Sequence, residues 1–330
     1  MKKLINTPEG AIAESLDGFA EAHRDIIKLG PNRAFVQRAA RKQGKVALVS
    51  GGGSGHEPLH AGFVGLGMLD AACPGQVFTS PTPDQMIAAV QAVDSGSGVL
   101  LIVKNYEGDV MNFDMAREMC EGQIATVVTN DDVAVEDSLY TTGRRGVAGT
   151  LIVEKITGAA AEKGAALEMV KALGDRVNSR TRSIGVALTS CTVPAAGKPT
   201  FELGSDEMEM GVGIHGEPGR RRVKLANADG IADEMTTAVL SDFGAEAKKG
   251  DVLLFVNGFG GTPAMELYLM YNACHALLAK RGWRVARSLV GSYVTSLDMA
   301  GCSLTVTLLD NETADFWDAP VHTPALRWGV

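Results

Sequence analysis

No two cysteines in this chain form a Cys-x-x-Cys pair: Cys73, Cys120, Cys191, Cys274 and Cys302 are far apart and odd in number. That argues against a disulfide framework and against a zinc site. Reduced, mostly buried thiols remain, the pattern of a cytoplasmic protein. No run of 18 apolar residues occurs, so no membrane-spanning helix is expected. Residues Met1–Thr7 also lack the apolar stretch of a signal peptide. Basic charge is short: 31 Lys and Arg stand against 39 Asp and Glu, a net charge of −8. A nucleic-acid partner needs a basic face, and no such motif is present. Aromatic residues make up only 5 %.

What is abundant is glycine, 39 residues in 330, on a background of 45 % hydrophobic and 21 % charged residues. This is a globular composition, with glycine for many tight strand-to-helix turns. Short β-branched runs at Val46–Val49, Val99–Val103, Ile124–Val128, Ile184–Leu188, Val252–Val256 and Leu304–Leu308 predict strands. Segments of helical period lie between them, at Asp84–Val93, Gly149–Lys163 and, most clearly, Pro263–Lys280. In the last, Leu267, Met270, Tyr271, Cys274, Leu277 and Leu278 recur at spacings of three and four. Thr262 is suited to cap it, with Pro263 in its first turn and Gly282 at its end. The alternation predicts two α/β domains, each a mostly parallel or mixed sheet flanked by helices. A polar, basic stretch from Asp175 to Ser183 sets the boundary, giving domains of residues 1–181 and 182–330.

Three stretches carry candidate chemistry. In Val46–Pro58 a glycine run ends on His56, as a loop leaving a strand. It is not a P-loop, because no Gly-Lys-Ser/Thr follows, and histidine replaces the third glycine of a dinucleotide fingerprint. Its backbone N–H groups could bond substrate hydroxyl or carbonyl oxygens, or it could be a plain glycine turn. The stretch Lys104–Asp109 follows a second strand, at the same sheet edge if the strands are parallel. There Asp109 could serve as a general base or form an Asx turn in a solvated loop. Finally, Met208–Gly219 frames His215 with Gly213 and Gly216, leaving the imidazole sterically open. A neutral imidazole can add to a ketone as a hemiaminal; otherwise it makes ordinary loop hydrogen bonds. Two exposed histidines on glycine-rich turns suggest a site for a small carbonyl or hydroxyl compound. Structural roles are expected for His23, His60, His275 and His322. A further glycine turn, Asn257–Pro263, could wall the site or let its helix pack close.

These motifs stand in one order with others: Ala72–Gly75, Phe78–Pro83, Asp131–Val135, Gly143–Ala148, Cys191–Pro199 and Trp317–Pro324. Together they resemble the substrate-binding K subunit of phosphotransferase-system-dependent dihydroxyacetone kinase, over nearly the whole chain. The resemblance implies a ketose held covalently as a hemiaminal on His215, with His56 assisting proton transfer. It implies Asp109 acting on the hydroxyl that receives the phosphoryl group, and Gly53, Ser54, Gly55 and Lys104 holding the substrate. It implies no cofactor or metal on this chain; ADP or ATP and magnesium belong to a nucleotide-binding L subunit, recharged by a phosphotransferase-system M subunit. A homodimer is also implied. A four-carbon ketose such as erythrulose stays open as substrate, as does a ketose-sensing coactivator, which retention of His56, Asp109 and His215 disfavours. One departure is that Lys248–Asp251 leads directly into a strand where some relatives carry a longer insertion.

Overall fold

The structure is a computed structural model and describes residues 2–134, 143–216, 219–244 and 249–330. Val135 of the Asp131 motif, Glu217 and Pro218 of the His215 stretch, and Lys248 lie outside the described residues.

The first half opens with helix α1 (Ala11–Ala22) and builds a six-stranded sheet from β1 (Ile27–Leu29), β2 (Val36–Arg38), β3 (Ala47–Ser54), β4 (Ala71–Val77), β5 (Val99–Lys104) and β6 (Ile124–Thr129), in the order β1-β2-β4-β3-β5-β6. Strand β3 runs parallel to both β4 and β5, and β5 is parallel to β6; β1 and β2 add an antiparallel edge. Every residue of β5 is buried, as a strand covered on both faces requires. Helix α2 (Pro83–Val93) follows β4, its start fixed by a capping box between Thr82 and Gln85. Helix α3 (Glu107–Met119) follows β5 after a two-residue turn.

Two helices, α4 (Gly149–Glu162) and α5 (Leu167–Ser179), lead to the second half. Its sheet comprises β7 (Thr181–Ala187), β8 (Glu207–Met210), β9 (Arg221–Lys224), β10 (Asp251–Gly258), β11 (Arg284–Gly291) and β12 (Gly301–Leu308), ordered β11-β10-β12-β7-β8-β9. Only β10 and β11 pair in parallel, so this sheet is mixed and largely antiparallel. Helices α6 (Ala228–Asp242) and α7 (Ala264–Lys280) pack on it, and α8 (Asn311–Asp318) precedes a small hairpin of β13 (Val321–His322) and β14 (Arg327–Trp328). The architecture is mixed α/β, with two six-stranded sheets flanked by helices.

The two halves share a core. Leu48, Phe63 and Ile102 of the first belong to one buried cluster with Leu253, Phe255 and Met299 of the second. Helix α4 is the joint: all its residues from Gly149 to Ala161 are buried, and it touches both sheets and α8. The tail from α8 to β14 returns to the first half, with Trp317 and Val321 in that cluster and a bridge from Leu66 to His322.

Two local readings change. Thr262 does not cap α7: its hydroxyl donates to the Gly301 carbonyl at 2.7 Å and accepts from the Gly301 N–H, tying the turn to β12 instead. Pro263 stands at the cap with no side-chain bond. The glycine run before His56 is not a loop but strand, since β3 extends through Gly51, Gly52 and Gly53 to Ser54. Glycine is required there by close approach. A Cβ on Gly51 would lie 2.7 Å from the Cys73 carbonyl oxygen, and one on Gly53 would lie 2.5 Å from the Thr79 nitrogen.

Candidate functional site

Parallel pairing puts the ends of β3 and β5 at one sheet edge, where ligands of open α/β sheets bind. From β3 the chain turns through Gly55, whose φ of +105° suits glycine, and sets down His56 at 1 % exposure. Its Nδ1 lies 2.7 Å from the Thr295 carbonyl of the second half. The carbonyl only accepts, so Nδ1 carries a proton, and in the neutral ring Nε2 keeps the lone pair. The two segments are laced further: Thr295 N–H donates to the His56 carbonyl and Leu297 N–H to that of Gly55.

Lys104 closes β5 with no exposed surface. The missing side chain at Gly52 makes its room, because a Cβ there would stand 2.2 Å from Nζ. The ammonium lies 3.2 Å from the Gly51 carbonyl and 3.4 Å from Asp109 Oδ2. Asp109 is buried in the first turn of α3, not in a solvated loop, and the exposed N–H groups of a helix start favour a carboxylate there. Ser54 and Gly55 have hydrogen-bond partners within the fold. The Ser54 hydroxyl donates to the Gly75 carbonyl at 2.7 Å, and the Gly55 N–H donates to the Glu57 carboxylate.

His215 arrives from the other half, in the segment after β8. It is half-buried and ringed by aromatic neighbours. Its centroid lies 4.4 Å from Tyr106, 4.6 Å from His56 and 5.5 Å from Phe78, each edge to face. Phe78 in turn stacks on His56 at 5.0 Å. The expectation of two exposed, open histidines is therefore corrected: His56 is buried, and His215 is packed by three rings. Burial, and then the positive charges of Lys104 and Arg145, push the His215 imidazole down to about 3. Arg145 has a second hold on this segment, for it pairs with Asp132 at 2.5 Å and donates to the Gly211 carbonyl at 2.8 Å.

The fold thus gathers His56, Lys104 and Asp109 from one half and His215 from the other. Sequence reasoning did not single out Tyr106, Phe78, Arg145 or Thr295, and it assigned His60 a structural place. His60 is within 2.9 Å of Lys104 Nζ. Its spacing of four from His56 was the available sign. A cavity of about 840 Å³ lies between Gly52–Gly55 and α1 residues such as Ile12 and Leu16. It reaches His60 but not His56 or His215. Among the described residues no group of three or more His, Cys, Asp or Glu could hold a metal ion, and no helix is long and apolar enough to cross a membrane.

Comparison with known proteins bears on this arrangement. The Dak1 domain is matched over residues 17–325. The chain is 48 % identical over 356 residues to the PEP-dependent dihydroxyacetone kinase, dihydroxyacetone-binding subunit DhaK of Escherichia coli (strain K12), covering all of both chains. Its fold is similar to that of the dihydroxyacetone kinase operon co-activator Dha-DhaQ, with a TM-score of 0.90 at 33 % identity over 94 % of this chain and 97 % of the other. It is also similar to the dihydroxyacetone kinase of C. freundii, with a TM-score of 0.89 at 33 % identity over 99 % of this chain and 60 % of that one.

Proposed function

The chain belongs to the Dak1 family, and on that premise we propose that it is the ketose-binding catalytic subunit of a dihydroxyacetone kinase, with His215 as the covalent anchor. The observation that carries this reading is a neutral imidazole meeting His56 and Tyr106 within 4.6 Å at the joint of the two halves. The lone pair of one His215 ring nitrogen forms a C–N bond with the ketose carbonyl carbon. The carbonyl π pair moves to oxygen, which takes up a proton as the other ring nitrogen releases one. His56, its Nδ1 fixed on Thr295, carries that proton traffic. Asp109 withdraws the proton from the substrate hydroxyl that attacks phosphorus, and Gly53, Ser54, Gly55 and Lys104 hold the substrate beside it.

A three-carbon ketose offers few contacts, and affinity per heavy atom is bounded, so a reversible bond adds what packing cannot. It also selects against glycerol, which has no carbonyl. Phosphoryl transfer needs a nucleotide and magnesium to neutralise oxygen charge. In this proposal a nucleotide-binding L subunit brings both, a phosphotransferase-system M subunit recharges its ADP, and the K subunit works as a cytoplasmic homodimer.

Intact-protein mass spectrometry after incubation with dihydroxyacetone, erythrulose or glycerol tests the anchor. One added ketose with the ketones, none with glycerol and mapping to His215 are expected; an adduct on another residue would sink the assignment. Turnover with an L subunit supports the kinase, whereas adduct without turnover would identify a ketose-sensing co-activator.

A further inference from the structure

Behind Lys104 runs a chain of buried polar groups that the ketose chemistry above leaves unused. Glu154, from the middle of α4, is fully buried, and His60 is 6 % exposed. His60 Nδ1 stands 2.6 Å from Glu154 Oε1 and 3.0 Å from Ser50 Oγ, while its Nε2 stands 2.9 Å from Lys104 Nζ.

The proton count has one solution. An ammonium has three protons and no lone pair. Lys104 donates to the Gly51 carbonyl and meets His60 Nε2, and its ammonium forms an ion pair with Asp109 Oδ2 at 3.4 Å. Nε2 must therefore accept, so Nδ1 carries the ring proton. The Ser50 hydroxyl donates to the Ile102 carbonyl at 2.7 Å, so toward His60 its oxygen can only accept. Nδ1–H consequently donates to Glu154 and Ser50. His60 stays neutral, driven well below its ordinary value by burial and then by Lys104 and His56. Burial pushes the Glu154 carboxyl up to about 8, against the pull of Lys104. A proton on its Oε2 leaves Oε1 able to accept from His60. Packing apolar side chains here would cost less than burying a carboxylate and an imidazole.

We propose that Glu154 and His60 are positioning residues that fix the direction of the Lys104 ammonium, and through it the Asp109 carboxylate, for the phosphoryl-accepting step. The inference rests on the reading of Asp109 given under the proposed function. Without an acceptor at Nε2, the ammonium proton that it receives is orphaned in the interior. Lys104 then reorients, and the carboxylate it holds turns with it. The titratable groups facing this chain are Lys104 and Asp109 from β5 and α3, with His56 and His215 across the site.

Variants with opposite losses test the pair. In His60→Asn the amide nitrogen takes the place of Nδ1, keeping the bond to Glu154 and losing the acceptor for Lys104. His60→Gln reaches toward the Nε2 position and restores that acceptor. Assayed with a saturating L subunit, His60→Asn should lose roughly tenfold in kcat, the scale at which outer partners of a reacting group act. Its ketose adduct should form as in the parent, since His215 makes that bond, and the loss is read at saturating ketose. His60→Gln should recover most of the loss. Glu154→Gln, which preserves shape, should erase the inflection near pH 8 from the kcat profile. Parent-like kcat in His60→Asn, or equal losses in His60→Asn and His60→Gln with loss of adduct, would overturn the inference and leave the His215 chemistry standing. Failure of the parent protein itself to form an adduct would remove both.

Discussion

His56 and His215 both stand beside glycine, yet the two regions that present them differ. His56 follows a strand whose glycines are pressed against β4, and its Nδ1 is pinned to Thr295, so one nitrogen has one direction. His215 comes from the stretch after an edge-side strand of the other half; rings surround it, and burial, then the cations of Lys104 and Arg145, favour its neutral form. A group that passes protons needs fixed aim, and a group that forms a bond needs a lone pair. Under the proposed function the first half supplies orientation and the second the nucleophile, and neither half alone gathers these residues.

The largest effect should come from the nucleophile. His215→Ala should abolish the ketose adduct in intact mass spectra, while Asp109→Asn in the first half should keep the adduct and lose about 10²-fold or more in turnover, as for a removed general base. Equal loss of adduct in both variants would erase the division between the halves.

Next comes pH. The His215 imidazole is lowered to about 3, so the neutral form disappears only as pH falls through that value. An ordinary imidazole at 6.5 is already about three-quarters neutral at pH 7, so the shift adds little there; at pH 5 the ordinary ring would be only about 3 % neutral. Adduct yield should thus stay within about twofold from pH 7 to pH 5. A fall tracking a value near 6.5 would show that the ring is not shielded by its surroundings.

The smallest effects concern packing. Gly53→Ala would drive a methyl against the Thr79 and Phe78 backbones and should cost about 1–3 kcal/mol, read as a lower urea midpoint at unchanged slope. Gly18, in α1 with nothing within 4 Å of a built Cβ, is the counterpart: Gly18→Ala should stabilise by about 0.5–1 kcal/mol. Matching responses at the two positions would contradict the close approach of β3 to its neighbours.

Local pattern was enough for the six strands read from β-branched runs and for α7, because apolar residues at period two or three to four bury the same face in any fold that forms a core. It was also enough to pick out His56, Asp109 and His215 as chemically unusual. What glycine meant was not legible. A run of three reads as a loop until a second strand is known to lie against it, and β4 arrives only at Ala71. Thr262 reads as a cap until Gly301, far along the chain, offers its backbone.

From its order of residues alone, this chain determined its α/β class, six of its strands with its clearest helix, and the types of group available for chemistry, since propensity and periodicity act over neighbouring positions. Only the tertiary structure decided that Lys104, His60 and Glu154 form one hydrogen-bonded line, and that His215 sits beside His56 with its neutral form favoured. Burial and the field of distant charges set those properties, and both depend on atoms brought together across long stretches of chain, 94 residues between His60 and Glu154 and 239 between His56 and Thr295.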